Sequence, residues 1–141
     1  MKTLREAKVI VPQLFPGRET DETTREAWAF QLKLADAFGG YTRVSGRGAD
    51  PTTPQGEPVW VYTIAMYPLP DNDATLVQLA CEVWKATDQQ FGYMVLADGD
   101  VVFVDVARAF RTGLVPLPGG RLVPVSHTVS ITSENVAEAR L

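Results

Sequence analysis

Two arginines and two aromatic residues form the group of side chains whose types and spacing best fit ligand binding. Arg43 and Arg47 lie four residues apart in one run, and Trp60 and Tyr62 lie in a later aromatic run. A guanidinium binds carboxylates and phosphates through paired hydrogen bonds, and aromatic rings stack on planar ligands. The four residues therefore predict a site for a small anionic or aromatic ligand; the alternative is that they are solvated side chains on a sheet surface.

The other residues that often carry chemistry do not form a catalytic set. His127 is the only histidine, and no Ser-His-Asp or Cys-His spacing surrounds it. Cys81 is the only cysteine and lies beside the apolar positions of a predicted helix, where an inert buried thiol is expected. We therefore predict no catalytic residue and no cofactor from these patterns.

Acidic and glycine-rich motifs also have structural explanations. Asp98, Asp100 and Asp105 are close in sequence, but their spacing does not match a calcium-binding loop, and the first two are typical turn residues. The segment 46–48, Gly-Arg-Gly, lacks the complete spacing of a phosphate-binding loop. We predict no metal site and interpret 46–58 as a hairpin loop.

Composition limits the classes of partner. The chain has 141 residues and a formal net charge of −4, which argues against tight binding to nucleic-acid phosphates. It contains no apolar run of about 18 residues, the length that spans a bilayer, and the first residues lack the apolar core of a secretion signal. We therefore expect a cytoplasmic protein with no membrane or nucleic-acid partner.

The element expected to organise the chain is the strand-like run 58–67, Pro-Val-Trp-Val-Tyr-Thr-Ile-Ala-Met-Tyr. Its residues are apolar on both alternating faces, which is typical of an interior strand. Around it the sequence predicts strands at 8–15, 41–47, 91–97 and 101–106, the last two joined by a turn at Asp98-Gly99. Helices are predicted after the capping box 23–26 and along the apolar stripe from Leu76 to Trp84.

This order predicts an α+β fold of the ferredoxin-like type. Four antiparallel strands carry two helices on one face, with an extra C-terminal hairpin strand and an extended C-terminal arm. We expect the domain to cover 1–107 and the Pro/Gly-rich arm to cover 108–141, with a possible short terminal helix. In the strand at 41–47, Thr42 and Val44 are predicted to face the helices, and Tyr41, Arg43, Ser45 and Arg47 to face away.

Residues 41–104 resemble small ferredoxin-like proteins of unknown function from microbes and their phages. The resemblance rests on Gly-Gly-Tyr-Thr, the Gly-Arg-Gly loop, the aromatic strand and Val-Val-Phe-Val at 101–104. It implies the β-α-β-β-α-β fold. It also implies that an apolar open face pairs two copies into an α+β barrel, as in some cofactor-independent oxygenases and isomerases.

Two functions follow as hypotheses. The first is a non-catalytic binding or protein-interaction module that acts through the open sheet face or the arm as a homodimer. The second is a small dimeric-barrel enzyme acting on an aromatic or anionic metabolite with Arg43, Arg47, Tyr62 or His127. The absence of a catalytic set favours the first.

Overall fold

The computed structural model describes residues 3–13, 25–50 and 53–126. The elements, in chain order, are β1 (Arg5–Pro12), α1 (Arg25–Phe38), β2 (Thr42–Asp50), β3 (Thr53–Met66), α2 (Pro70–Ala86), β4 (Phe91–Val95), β5 (Val101–Asp105), α3 (Val106–Thr112), β6 (Leu114–Pro116) and β7 (Leu122–Pro124). Five strands form one sheet in the order β2-β3-β1-β4-β5, and every neighbouring pair is antiparallel. The predicted α+β class and antiparallel sheet are confirmed.

The hydrophobic core lies on one face of the sheet. Alternate residues of each inner strand are buried, such as Val9 of β1 and Ile64 of β3, while their chain neighbours on the opposite face are more exposed. These buried residues form one cluster with the apolar sides of all three helices, including Phe30 of α1 and Phe110 of α3. In the described part of the chain, the helices therefore cover one face and leave the other uncovered.

The close approach of α2 to the sheet depends on a glycine. Trp84 is 99% buried, and its indole Nε1 donates a hydrogen bond of 2.8 Å to the carbonyl of Ile10. The ring lies directly against Gly92 of β4, where an added Cβ would be 2.2 Å from the indole Cδ2. A side chain at this position would separate α2 from the sheet.

The predicted loop at 46–58 is wrong over most of its length. β2 continues to Asp50 and β3 begins at Thr53, with Gly46 opposite Val59 and Gly48 opposite Glu57. The glycine and proline residues of this segment predicted a loop because they often end strands. Here the cross-strand hydrogen bonds continue past them, and the irregularity is limited to a register shift between Gly48 and Asp50.

The start of the predicted arm also differs. Residues 106–112 form helix α3, in which the Asp105 carboxylate accepts a hydrogen bond from the Arg108 amide at 3.1 Å. The helix ends at Gly113 in the left-handed conformation, with φ of 72°. The following residues are extended and turn-rich, as predicted, and form the β6–β7 hairpin. Val115 and Val123 of that hairpin belong to the core, so this part of the arm is packed onto the domain.

Several predictions lie outside the described residues. They concern the end of the first strand at 14–15, the capping residue Thr23, His127, and the strand and helix predicted within 127–141. Among the described helices, none is long and apolar enough to cross a membrane. The division into 1–107 and 108–141 stays a prediction.

Candidate functional site: the open face of the sheet

An apolar row crosses all five strands on the face without helices. The strand registers place five residues side by side, in the order Val44, Val61, Ile10, Tyr93 and Phe103. Because directly opposed residues of an antiparallel sheet point to the same face, their side chains form one continuous row. Phe103 is 72% exposed and Val44 is 53% exposed. We call these five residues the apolar row.

Aromatic side chains are concentrated at the β4–β5 end of this face. Tyr93 and Phe103 are cross-strand neighbours with ring centroids 5.0 Å apart in an edge-to-face arrangement. Phe91 lies two residues before Tyr93 on the same face and is 59% exposed. Such a cluster keeps a large apolar area in water, which is costly unless something covers it.

A shallow groove runs along part of the face. It has a volume of about 520 Å³. Its lining includes Ile10, Val59, Phe91 and Tyr93 of the sheet and Trp84 of α2. Gly46 and Gly48 of β2 also line it and contribute no side chain. A volume of this size fits a small ligand or the protruding side chains of a partner.

Charged residues flank the apolar row asymmetrically. Lys8 lies on the side of the row where β1 begins, two residues from Ile10. Glu57 of β3 and Asp105 of β5 lie on the opposite side. The Lys8 flank therefore carries one cation and the carboxylate of Glu6, and the opposite flank carries the carboxylates of Glu57 and Asp105.

Three of the four predicted ligand-binding residues come together, but on the face covered by helices. Arg43 lies over the Trp60 ring at 3.8 Å, and its Nη1 donates a 2.6 Å hydrogen bond to Gln31 Oε1 of α1. The Tyr62 hydroxyl donates to the same oxygen at 2.8 Å. The predicted orientation of β2 is thus wrong. Arg43 faces the helices, and Val44 faces away from them.

The environment of Tyr62 explains why it is a poor contact for a ligand. Its side chain is fully buried, and its ring packs edge-on against Phe30 at 5.1 Å. Burial raises the pKa of Tyr62 to about 12, despite the lowering effect of the hydrogen-bonded and positively charged Arg43. The phenol therefore stays neutral and joins α1 to the sheet. Whether Arg43 and Trp60 bind a ligand at this margin is untested and stays a prediction.

Arg47 is separated from these three residues. It lies opposite Pro58, and its Nη2 donates a 3.2 Å hydrogen bond to the carbonyl of Gly56 within the same hairpin. Arg47 is also among the residues that line the groove, although by register it belongs to the same alternating set of β2 as Arg43. It is the one member of the predicted set that contributes to that groove.

The remaining candidates have structural roles or lie outside the described residues. Cys81 is fully buried, and burial, with a further contribution from the charge of Glu82, raises its pKa to about 12. Among the described residues no group of three or more His, Cys, Asp or Glu side chains is placed to hold a metal ion. Asp98 accepts a 3.0 Å hydrogen bond from the Asp100 amide, which is the predicted turn geometry.

The acidic turn instead binds an arginine of the β6–β7 hairpin. Arg121 lies 3.4 Å from Asp73, 3.6 Å from Asp98 and 4.0 Å from Asp100. Asp73 is almost completely buried at the start of α2, and desolvation raises its pKa even though Arg121 opposes the shift. No sequence pattern indicates this cluster, because its members are up to 48 residues apart.

The apolar row was only partly found from the sequence. The sequence pattern places Val61 in a strand with two apolar faces. It also places Ile10, Tyr93 and Phe103 in strands, but it does not indicate that they lie side by side. Their alternation with buried neighbours was a usable signal. Their alignment depends on strand register, which the sequence pattern does not fix.

Comparison of the chain with protein-family models, with curated proteins and with solved structures finds no match. The resemblance of residues 41–104 to ferredoxin-like proteins therefore stays a prediction.

Proposed function

We propose that this chain is an interaction module with a ferredoxin-like core that pairs with a second copy of itself through the open face of its sheet. The strand order β2-β3-β1-β4 and the antiparallel pairing of these strands support the ferredoxin-like arrangement. The observation that carries the functional proposal is the apolar row, which crosses the whole width of the sheet and has no covering element in the described part of the chain.

The area of the face is sufficient for a dimer. Five strands at a spacing of about 4.8 Å, and three rows of side chains about 6.8 Å apart, give a projected area of about 480 Å². Protruding side chains expose more accessible surface than this projection. A stable interface buries about 800 Å² of accessible surface per partner, so the face and its margins are of the right order.

The apolar row favours a second copy as the partner. A two-fold axis parallel to the row would place the row of one copy over the row of the other and reverse the strand direction. Apolar side chains would then meet along the whole row, whereas Glu6 of one copy would face the flank that contains Glu57 of the other, so the contact would depend on the row and not on charge. An apolar row that meets itself is self-complementary, as two-fold symmetry requires.

A substitution on the row tests the proposal. Size-exclusion chromatography with light scattering is expected to show a dimer for the full chain and a monomer for Val44→Lys at the same concentration. Val44 is more than half exposed at the end of the row, so the lysine has access to water in the monomer. Leu32→Lys is the matched control, because Leu32 is 47% exposed on α1, away from the row.

A monomeric full chain, or an equal loss of the dimer in both variants, would contradict pairing through the open face. Circular dichroism of each variant verifies that the fold is retained. A chain ending at Ala107 is unsuitable for this test, because it would remove Val115, Val123 and Val125 from the core.

The alternative, a dimeric-barrel enzyme, is supported by the groove of about 520 Å³ that such a dimer would enclose. Of the residues proposed for it, Arg47 borders the groove, Arg43 and Tyr62 lie on the helix-covered side, and His127 lies outside the described residues. Native mass spectrometry discriminates the two functions. A stoichiometric small molecule retained by the dimer and lost in Arg47→Ala would favour the enzyme, whereas an empty dimer favours the interaction module.

A further inference from the structure

The outer edge of β5 presents unpaired backbone groups in a defined pattern. Two hydrogen bonds define the pattern at the ends of the β4–β5 ladder. The Leu96 amide donates to the Asp100 carbonyl, and the Val106 amide donates to the Gln90 carbonyl. By this register, the even-numbered residues of β5 are the ones hydrogen-bonded to β4. In an antiparallel ladder the alternate residues direct their N–H and C=O groups the other way. The backbone groups of Val101 and Phe103, and the amide of Asp105, therefore point outward from the sheet.

The two edges of the sheet differ in their protection. Edge strand β2 carries Arg43 and Arg47, contains glycines and has a register shift after Gly48, all of which discourage pairing with another strand. Edge strand β5 has the sequence Val-Val-Phe-Val-Asp and regular pairing along its five residues. The first four residues of β5 are β-branched or aromatic, and only the last, Asp105, is charged. Such an edge favours the addition of another strand.

There is room for a strand beside β5. A groove of about 400 Å³ lies between this strand, α3 and the β6–β7 hairpin. Its lining is mainly apolar and includes Val104, Leu114 and Leu122. Leu122 is 58% exposed. In the described part of the chain no strand pairs with the outer edge of β5, and Val101 and Phe103 on it are exposed, so the ladder can be extended there.

We propose that β5 pairs antiparallel with β5 of a second copy, with the two-fold axis at Phe103. This register places Val101 opposite Asp105 of the second copy and joins two five-stranded sheets into one of ten strands. Only another strand supplies donors and acceptors with the alternation that this edge presents. The hydrogen bonds then form between outward-facing groups on both sides.

Charge complementarity favours the second copy over an unrelated strand. The chain before β5 carries Asp98 and Asp100, two carboxylates that share the single cation of Arg121, and the chain after it carries Arg108 and Arg111. Antiparallel pairing brings the acidic end of each β5 toward the basic end of the other. Parallel pairing would instead place like charges together.

The edge interface is separate from the open face. Its two-fold axis is perpendicular to the sheet, whereas the axis proposed for the open-face dimer lies parallel to it. If both interfaces form and their axes intersect, the assembly is a tetramer in which two ten-stranded sheets pack face to face. Neither interface requires the other.

Cysteine cross-linking tests the edge interface in the full chain. In a Cys81→Ala background, the double variant Val101→Cys/Asp105→Cys is expected to form a covalent dimer under mild oxidation, because opposed residues have Cα atoms about 5.5 Å apart, which a disulfide can span. Each single variant places its two cysteines about 14 Å apart across the axis, too far to cross-link. We expect at least about tenfold more covalent dimer from the double variant than from either single variant.

The result that would overturn the edge interface is little covalent dimer from the double variant, or equal amounts from the double and single variants. Adding Val44→Lys distinguishes the two interfaces. If the cross-link still forms when Val44→Lys is added, the edge pairs without the open face. If Val44→Lys abolishes the cross-link, the contact belongs to the open face and the edge interface is overturned. Light scattering of the same variants reports the open face separately, because Val44→Lys is expected to halve the mass of the assembly: from dimer to monomer if only the open face pairs, and from tetramer to dimer if the edge pairs as well.

Discussion

Replacing Gly92 by alanine tests the closest contact in the core. The new Cβ would lie 2.2 Å from Trp84 Cδ2, and ordinary contacts begin at 3.4 Å, so the indole or β4 must move by the difference, about 1.2 Å. The indole has little freedom to do so, because it is buried and its Nε1 is bonded to the Ile10 carbonyl at 2.8 Å.

The expected cost follows from three contributions. Overpacking a well-packed core costs about 1–3 kcal/mol. Weakening the Trp84 hydrogen bond adds about 1 kcal/mol. Removing the flexibility of a glycine from the unfolded chain offsets about 0.5 kcal/mol. We therefore expect Gly92→Ala to lower the free energy of unfolding by about 1.5–3.5 kcal/mol, as the sum of these contributions.

Urea denaturation followed by far-ultraviolet circular dichroism measures this loss, at one fixed protein concentration because the proposed self-association would contribute to stability. Gly46→Ala is the matched control, since its Cβ would meet its nearest neighbour, a Val61 methyl group, at an ordinary 3.6 Å. Its effect should stay within about 0.5 kcal/mol. Equal stabilities of the two variants would refute the inference that Gly92 sets the distance between α2 and the sheet.

Three further predictions concern titratable groups. Arg121→Met is expected to destabilise the fold by about 1–2 kcal/mol at pH 7, because it leaves the buried Asp73 carboxylate uncompensated. The same substitution in an Asp73→Asn background should cost much less. Equal losses in both backgrounds, measured by urea denaturation, would contradict this pairing. Because the folded pKa of Asp73 is raised, its stabilising contribution is greatest below about pH 4 and decreases as pH rises through that folded pKa. Tyr62→Phe should cost about 1 kcal/mol near pH 7 through loss of the hydrogen bond to Gln31. Its stability relative to the parent should improve between about pH 10 and 12, because the phenol then ionises in the unfolded parent but stays neutral in the folded one. A difference that does not change with pH would refute this. Cys81 should react with a thiol reagent at least about a hundredfold more slowly in the folded protein than in urea, and comparable rates would show that the thiol is accessible.

Local sequence patterns identified most elements correctly. The apolar stripe from Leu76 to Trp84 predicted α2, and Asp98-Gly99 predicted the turn between β4 and β5. α3 was missed although Asp105 and Gly113 are suitable caps, because the prolines and glycines that follow dominated the interpretation. The prediction also made β2 and β3 too short, because glycine and proline residues in 46–58 indicated a loop.

Which residues alternate along each strand follows directly from the amino-acid order, because alternation depends only on backbone geometry. That order alone did not determine which of the two alternating sets in β2 faces the helices. That choice was made by pairing with β3, where Arg43 opposes Tyr62 and Val44 opposes Val61. A one-residue change in register reverses the face of every side chain. For this reason the open face carries Val44 and not Arg43, which the sequence pattern predicted there. Contacts between distant segments, such as Gly92 with Trp84 and Arg121 with Asp73, likewise exist only after the sheet and helices have packed together.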